Sequence, residues 1–509
     1  MSLQATQPST TSAAIPRDCS LRDMLVYAQG DCAISLVMNG IFGFAMLYYT
    51  NALGLNPAWA GIAMSLSVVW EAISEPLMGH ISDITRSRWG RRHAYMLIGG
   101  LLMAACSYFI WDVPQRLLGS QVSMFWYLVT MNLLLRSGLT MFFIPYVALG
   151  FEMSNDYQGR SRMQAIRQIF NMAANFAGPA MAWTIFFQNH GKIQATSVAA
   201  NYLRMGTVFA LATALFVLVV VAFTYRWHKD TRFTIPECNS GGVSGFFLDI
   251  KQVLLDPVPK WVFVFVFLIC VGMVLVSSLQ MFVYVDFMNF SADQKTIAQG
   301  GTMIGMALGA LFAIPLAHRV DKKAAATIGG LISICANILL AIVFSTGLVK
   351  PTLPWHVAGI NIPAPLIILV LGQAGYWFGN GIMLPLSVAM MADVSEIHCL
   401  KTGIRKDGSY SSVYSLAMRI AIALSLFLSG YFLTIIGYKT APHGMTPVQT
   451  PLTIWKLALM TFLSGAALAS AAIVAIKFYP VTFQKMKELR VAASNKEDNC
   501  NVTNQEFVK

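Results

Sequence analysis

Charge is what this chain has least of. Only 11% of its 509 residues are Asp, Glu, Lys or Arg, against about a quarter in a soluble domain. That scarcity excludes a water-soluble globular protein of this length. Acidic residues are the rarer sign, 23 against 35 basic, giving a formal charge of +12. Such a surplus raises nucleic acid as a partner. The basic residues fall in short islands between apolar stretches rather than along one continuous face, which excludes that reading. Energy-yielding and hydrolytic signatures are also missing. No GxxxxGK[ST] occurs, so ATP is not the energy source, and neither HExxH nor GxSxG is present, so the chain is read as no enzyme. The eight cysteines (Cys19, Cys32, Cys106, Cys238, Cys270, Cys335, Cys399, Cys500) are scattered, with no CxxC and no metal-ligand spacing. Residues 1–20 are polar, carry no cleavable-signal pattern and read as a disordered tail.

What remains is apolar sequence, 56% of the chain, with a mean hydropathy of +0.60. Twelve segments each approach the ~20 residues that cross a bilayer core: 28–53, 57–81, 94–113, 121–150, 163–189, 203–226, 258–284, 294–318, 324–346, 364–391, 409–437 and 452–479. The expected fold is therefore an all-α polytopic membrane protein of twelve transmembrane helices. Basic residues concentrate in alternate connections: Arg86, Arg88, Arg91 and Arg92; Arg160 and Arg162; Arg226, Lys229 and Arg232; Arg319, Lys322 and Lys323; Lys401, Arg405 and Lys406; and the tail with Lys485, Lys487 and Arg490. The positive-inside rule puts these loops and both termini in the cytoplasm, with the chain in the cell membrane.

The longest polar interruption, 227–257, divides six spans from six. The expected units are an N-terminal tail (1–27), a first bundle (28–226), a central cytoplasmic loop (227–257), a second bundle (258–480) and a C-terminal tail (481–509). A short repeat supports two related halves. "GHISDITRSRWGRRH" follows the second span and "AHRVDKK" the eighth, placing Gly79, His80, Asp83 and Ala317, His318, Asp321 at matching offsets. Parallel six-helix halves with a mid-membrane site between them are one architecture of secondary transporters.

Against this background "WEAISEP", residues 70–76, stands out. Glu71 and Glu75 are four apart and share one helix face. Two carboxylates that close cannot both ionise cheaply in a low dielectric, so one is protonated or a cation lies nearby. Pro76 has no N–H for the Ala72 carbonyl, which frees an oxygen beside them. The set suits Na⁺ or one exchangeable proton, with no other metal or cofactor expected. Arg136, Arg167 and Arg419 also fall in apolar spans and are the candidate charge partners. Arg419 belongs to the opposite half, so its pairing with the glutamates would bridge the halves, while an arginine at the depth of Arg136 can snorkel to the outer surface. Tyr27, Asn39, Gln280, Gln373, Trp377 and Tyr414 are candidate cavity residues, weighed against packing and helix–helix hydrogen bonding.

"VVWEAISEPLMGHISDITRSRWGRRHAYMLIGG" (68–100) resembles the signature of the glycoside–pentoside–hexuronide:cation symporters, the melibiose-permease-like branch of the major facilitator superfamily. "IPYVALGFEMSNDYQGRSRMQAIRQIF" (144–170), "MADVSEIHCLKTGIRKDGSYSSVYSLAMRIA" (391–421) and "YYTNALGL" (48–55) are similar to further blocks of that family. The resemblance implies the major facilitator fold and cation-coupled solute transport by alternating access. It maps the family's two helix-two acids, usually aspartates, onto Glu71 and Glu75, its helix-five basic residue onto Arg167 and its helix-eleven lysine onto Arg419. The acids that hold galactosides map onto Ser35 and Phe143, which departs from a melibiose-like substrate. It also implies a cytoplasmic gate of Gly79, Asp83, Arg86, Arg88 and Arg92, with Asp321 in the second half and Glu152, Asp156, Arg160 and Asp393 as further members. The expected function is H⁺- or Na⁺-coupled symport of a small organic solute, a sugar or glycoside, by a monomer in the bilayer. An amphipathic, lysolipid-like solute and a non-transporting sensor or scaffold are the alternatives.

Overall fold

A computed structural model describes residues 19–85, 89, 92–153, 157–187, 194–227, 257–346, 354–357, 360–402, 407–440, 447–481, 484, 485 and 488. The central segment 228–256, both chain ends, and Arg86, Arg88, Arg91 and Asp156 lie outside these residues. So do the side chains of Asp83, Glu152 and Arg160. Among the described residues twelve long helices follow one another: α1 Leu21–Gly40, α2 Pro57–Ile84, α3 His93–Phe109, α4 Gln121–Met153, α5 Tyr157–Met181, α6 Ala199–Thr224, α7 Pro257–Phe282, α8 Ala292–Val320, α9 Lys322–Ser345, α10 Ala364–Thr402, α11 Asp407–Ile435 and α12 Pro451–Lys477. Each coincides with one expected span.

Nine of these twelve meet both the length and the apolarity needed to cross a membrane. The exceptions are instructive. Helix α3 is short, at 17 residues. Helices α2 and α5 are interrupted by polar faces: Glu71, Glu75 and four serines on α2, and Gln164, Arg167, Gln168, Asn171 and Asn175 on α5. The site residues themselves dilute the hydropathy of the helices that carry them. One departure from an all-helical chain is a small antiparallel hairpin between α9 and α10, β1 Pro354–Val357 with β2 Ile360–Pro363, with Trp355 opposite Ile362.

Helix starts are specified locally. Ser20 and Asp23 form a capping box on α1, and Ser291 and Gln294 form another on α8. Asn56 caps α2 ahead of Pro57, and Thr450 caps α12 ahead of Pro451. Asp321, the repeat's second aspartate, adopts φ 73 between α8 and α9, and its side chain accepts from the Lys322 N–H at 2.7 Å.

Within each half the helices approach through glycines, as membrane helices do when packing rather than hydrophobicity drives association. A Cβ at Gly138 on α4 would lie 2.7 Å from the Met103 N of α3 and 2.9 Å from the Gly99 O. The halves meet in the same manner where α2 crosses α11: a Cβ on Gly61 would stand 2.7 Å from the Leu426 O. One buried apolar cluster runs from the first half through Ile41, Phe44 and Phe187 into the second through Leu279, Phe282 and Leu426. A separate cluster around Phe265, Ile382, Met390, Val394 and Tyr410 fills the other end of the second half. The halves therefore share a core on one face of the molecule and keep separate cores on the face that bears the basic loops.

Gly138→Val should overpack the α3–α4 contact and destabilise the protein by about 1–3 kcal/mol, seen as a lower thermal midpoint in detergent. Gly119→Val, with nothing within 4 Å of the added Cβ, should leave the midpoint where it is.

Candidate functional site

Glu71 is the fifteenth of the 28 residues of α2, so it sits about 20 Å from either helix end at ~1.5 Å per residue. It is 1% exposed and held from two sides. Arg136 Nη1 of α4 donates to Glu71 Oε2, and Arg419 Nη1 of α11 lies 3.0 Å from Glu71 Oε1. Arg419 Nη2 donates to Glu75 Oε1 at 2.5 Å. Two carboxylates thus face two guanidiniums, and the cluster is neutral as it stands. An isolated charge at this depth costs about 3 kcal/mol or more; removing one partner of a buried pair costs about 3–5 kcal/mol. Both glutamates are turned toward Arg419 of the other half. Glu75 and Arg419 retain partial exposure, with side chains 17% and 24% accessible, whereas Arg136 is sealed at 1%.

That burial corrects the expectation for Arg136. Snorkelling would need a path to the surface for the guanidinium, and the side chain turns inward to Glu71 beneath the Phe42 ring instead. Arg167 is also corrected. It does not reach the glutamates. It closes on Asp31 of α1 with two bonds, Nε to Oδ2 at 2.7 Å and Nη2 to Oδ1 at 3.0 Å. Fork-to-fork pairing of this kind fixes geometry as well as charge. Tyr146 donates to the same Oδ2 at 2.7 Å, and its ring lies 4.9 Å beneath the Arg167 guanidinium.

From this pair a polar ladder climbs between α1 and α5. Asp31, Ser35 and Asn39 recur every fourth residue on α1, and Arg167, Asn171 and Asn175 do so on α5, so each set forms a stripe. Asn171 Nδ2 donates to Ser35 Oγ at 2.9 Å, Asn175 Nδ2 to Asn171 Oδ1 at 2.8 Å, and Asn39 Nδ2 to Asn175 Oδ1 at 2.7 Å. Asp31 was not among the sequence candidates. The signal was present, since it is a carboxylate inside an apolar span, the very rule that singled out Glu71. Asp31 lies one turn before Ser35 on the same face, the position to which the family's helix-one acid mapped.

The other cavity candidates divide. Asn39, Phe143, Trp377 and Tyr414 are half-buried, and the Tyr414 hydroxyl pairs with Ser387 Oγ at 2.8 Å. Tyr27 is fully enclosed, stacked on Tyr146 at 4.4 Å and donating to the Tyr146 carbonyl at 2.6 Å, so it supports the Asp31 site from behind. Ser35, Gln280 and Gln373 are enclosed too. The Gln280 Oε1, both polar atoms of the Gln373 side chain and the Trp377 indole N–H have no hydrogen-bond partner among the described residues. Of the gate candidates, Gly79 would accommodate a Cβ at 3.8 Å from Ile144, and Arg92 is buried. In the second half Lys322 Nζ donates to both oxygens of Asp393, at 2.7 and 2.6 Å, tying α9 to α10 near the basic loops.

A second constellation joins the halves on the opposite face. The Tyr438 hydroxyl lies 2.7 Å from Asp286 Oδ2 of its own half and 3.0 Å from Asn51 Oδ1 of the other. Lys295 Nζ sits 4.7 Å over the Trp183 ring. Asn51, Trp183 and Asp286 all lie in π-helical turns, at Tyr48–Ala52, Ala182–Phe186 and Val283–Phe287. Such turns insert an extra residue and redirect side chains at functional sites. Among the described residues no three of His, Cys, Asp and Glu converge as metal ligands.

The profile of the family described as "MFS/sugar transport protein" matches residues 26–483. A glucuronide carrier protein homolog of Escherichia coli (strain K12) is 26% identical over 489 aligned residues, covering 94% of this chain and 96% of that protein. The isoprimeverose transporter of Lactiplantibacillus pentosus is 23% identical, covering 82% and 81%. A crystal structure of a D-xylose-proton symporter superposes with a TM-score of 0.60 at 13% identity, over 90% of this chain and 97% of that one, a likeness of fold. Twelve helices in two packed halves, charges paired at mid-depth between them and a match along nearly the whole membrane region agree: this chain belongs to the MFS/sugar transport protein family.

Proposed function

We propose that the protein is a secondary carrier that couples the entry of a monovalent cation, H⁺ or Na⁺, to uptake of a small polar solute of the sugar or glycoside class. The observation that carries this reading is the Arg419 bridge to Glu71 and Glu75, an ion pair at mid-depth between two halves. A cation that binds the carboxylates competes with Arg419 and frees the halves to move. Without a cation the bridge reforms, since leaving the carboxylates unpaired is costly. Ion occupancy then biases which way the cavity faces. The Asp31–Arg167 pair and the asparagine ladder offer donors and acceptors suited to sugar hydroxyls, and they disfavour an amphipathic solute. The names of the glucuronide and isoprimeverose relatives support the same substrate class.

In this reading residues 28–226 rock against 258–480, the basic loops, the 227–257 segment and both tails (1–27 and 481–509) face the cytoplasm of a cell-membrane protein, and one chain suffices. Gly79, Asp83, Arg86, Arg88, Arg92 and Asp321 form the cytoplasmic gate. Asn51, Tyr438, Asp286, Lys295 and Trp183 close the outer face, where the halves share their apolar core.

Three outcomes are expected. In proteoliposomes with Na⁺ and pH gradients imposed separately, wild-type protein should concentrate at least one of labelled methyl β-D-xyloside, methyl β-D-glucoside and methyl β-D-glucuronide. Glu75→Gln should lose about tenfold or more of that gradient-driven uptake; full uptake by Glu75→Gln would reject the coupling role, and a sensor would concentrate none of the probes under either gradient. Tyr438→Phe removes the hydroxyl shared by Asp286 and Asn51 and should weaken outer closure by about 1–3 kcal/mol. Faster alkylation of a cysteine introduced at Ala52, in a background without native cysteines, reads that loss, and an unchanged rate would mean the bridge does not hold the gate.

A further inference from the structure

The two arginines that hold Glu71 come from different places. Arg136 is on α4, in the same half as α2, and these helices are pinned to one another by Ser74 and Thr140 at 3.2 Å and by Trp70 Nε1 donating to Ser137 Oγ at 2.8 Å. Arg419 arrives from the other half. Relative motion of the halves stretches the Arg419 contacts and leaves Arg136 on Glu71. Arg136 is enclosed, 1% exposed, with the Phe42 ring 5.1 Å from its guanidinium carbon. A guanidinium keeps its proton in a protein. A positive charge is therefore fixed beside Glu71 throughout the cycle.

The charge count follows from the contacts. With Arg419 docked, two glutamates face two arginines. With Arg419 withdrawn, Glu71 and Arg136 still cancel through the Oε2 contact. Glu75 alone is uncompensated, because Arg419 is its one ion-pair partner among the described residues. A single positive charge restores neutrality, and a second would be unpaired at mid-membrane.

We infer that Arg136 is a resident counter-cation that takes Glu71 out of ion exchange, so that Glu75 alone passes between Arg419 and the coupling ion, and one monovalent cation accompanies each solute. This rests on the symport reading and sharpens it. The geometry of Arg136 leaves room for one charge. H⁺ and Na⁺ share that charge, and the separately imposed gradients tell them apart. Arg136 is a positioning residue: it acts on the ion through Glu71, which it neutralises, and touches neither ion nor solute.

The site also supplies the means of testing this. Asn132, one turn before Arg136 on α4, is fully buried, and neither its carboxamide atoms nor Arg136 Nε has a hydrogen-bond partner among the described residues. The double substitution Glu71→Gln/Arg136→Gln removes both charges of the pair without stranding either. Each single substitution strands one buried charge. The three variants and the wild type are compared by uptake of the labelled methyl β-D-xyloside, methyl β-D-glucoside and methyl β-D-glucuronide panel and by thermal midpoint in detergent. The singles should each lose about tenfold or more in uptake and the double should regain part of that loss, with the midpoint following the same order. The wild-type reversal potential should give one cation per solute. A value of two cations per solute, a folded double variant as inactive as the singles, or an Arg136→Gln variant that transports like wild type would overturn the inference. Absence of gradient-driven uptake by the wild type would instead overturn the symport reading. The midpoints still test the pair in that event, and additive losses in the double variant would count against it.

Discussion

Two carboxylates at the middle of a membrane cannot be left alone. Each would cost about 3 kcal/mol or more unpaired, and the rest of this structure is arranged around that penalty. Helix α4 brings one guanidinium to Glu71 from within the half, and α11 brings another to Glu71 and Glu75 from across the interface. The first contact is permanent by position. The second joins two halves that also share an apolar core and, on the opposite face, the Tyr438 contact to Asp286 and Asn51. A membrane carrier needs an interaction strong enough to hold its halves and weak enough to be displaced by its ion. A partly exposed arginine on a partly exposed glutamate fits that description better than the sealed pair behind it.

The two clusters divide the work by depth and by helix. The charge pairs on α2, α4 and α11 connect the halves, while the polar ladder on α1 and α5 lies within one half. Asp31 and Arg167 neutralise each other at one end of that ladder, and the asparagines extend it with uncharged groups. Neutral amides cost little to leave in a water-filled cavity and pair readily with hydroxyls, which is why such a ladder suits a sugar better than a charged clamp does. The contact between the halves on the opposite face is built differently. Asn51, Trp183 and Asp286 sit in π-helical turns, where an extra residue per turn gives the backbone a local alternative to the α-helical register.

Much of this was legible in the sequence. The twelve helices followed from apolar length, and Glu71, Glu75 and Arg419 from the cost of charge in such segments. The Arg419 bridge across the halves was readable because the chain divides six and six. Pairings within a half were not readable. Arg167 was expected opposite the glutamates, yet Asp31 sits closer to it, and nothing in linear order says which carboxylate an arginine on α5 will meet. Arg136 illustrates the same limit: depth along a helix is visible in sequence, but the direction of the side chain is not. Asp286 was overlooked because it lies just past the end of the seventh apolar run, in a π turn that periodicity does not report. The hairpin between α9 and α10 is too short to register against the helical pattern around it.

The central claim is that a cation displaces Arg419 and thereby changes how the halves sit. Spin labels on the basic-loop ends of α2 and α11, at His80 and Ser411, report that distance directly by double electron–electron resonance in nanodiscs. The account predicts a distance distribution that shifts when Na⁺ is added or the pH is lowered, and an Arg419→Gln protein whose distribution no longer depends on either. A wild-type distribution indifferent to both ions, or an Arg419→Gln protein that responds as the wild type does, would contradict it.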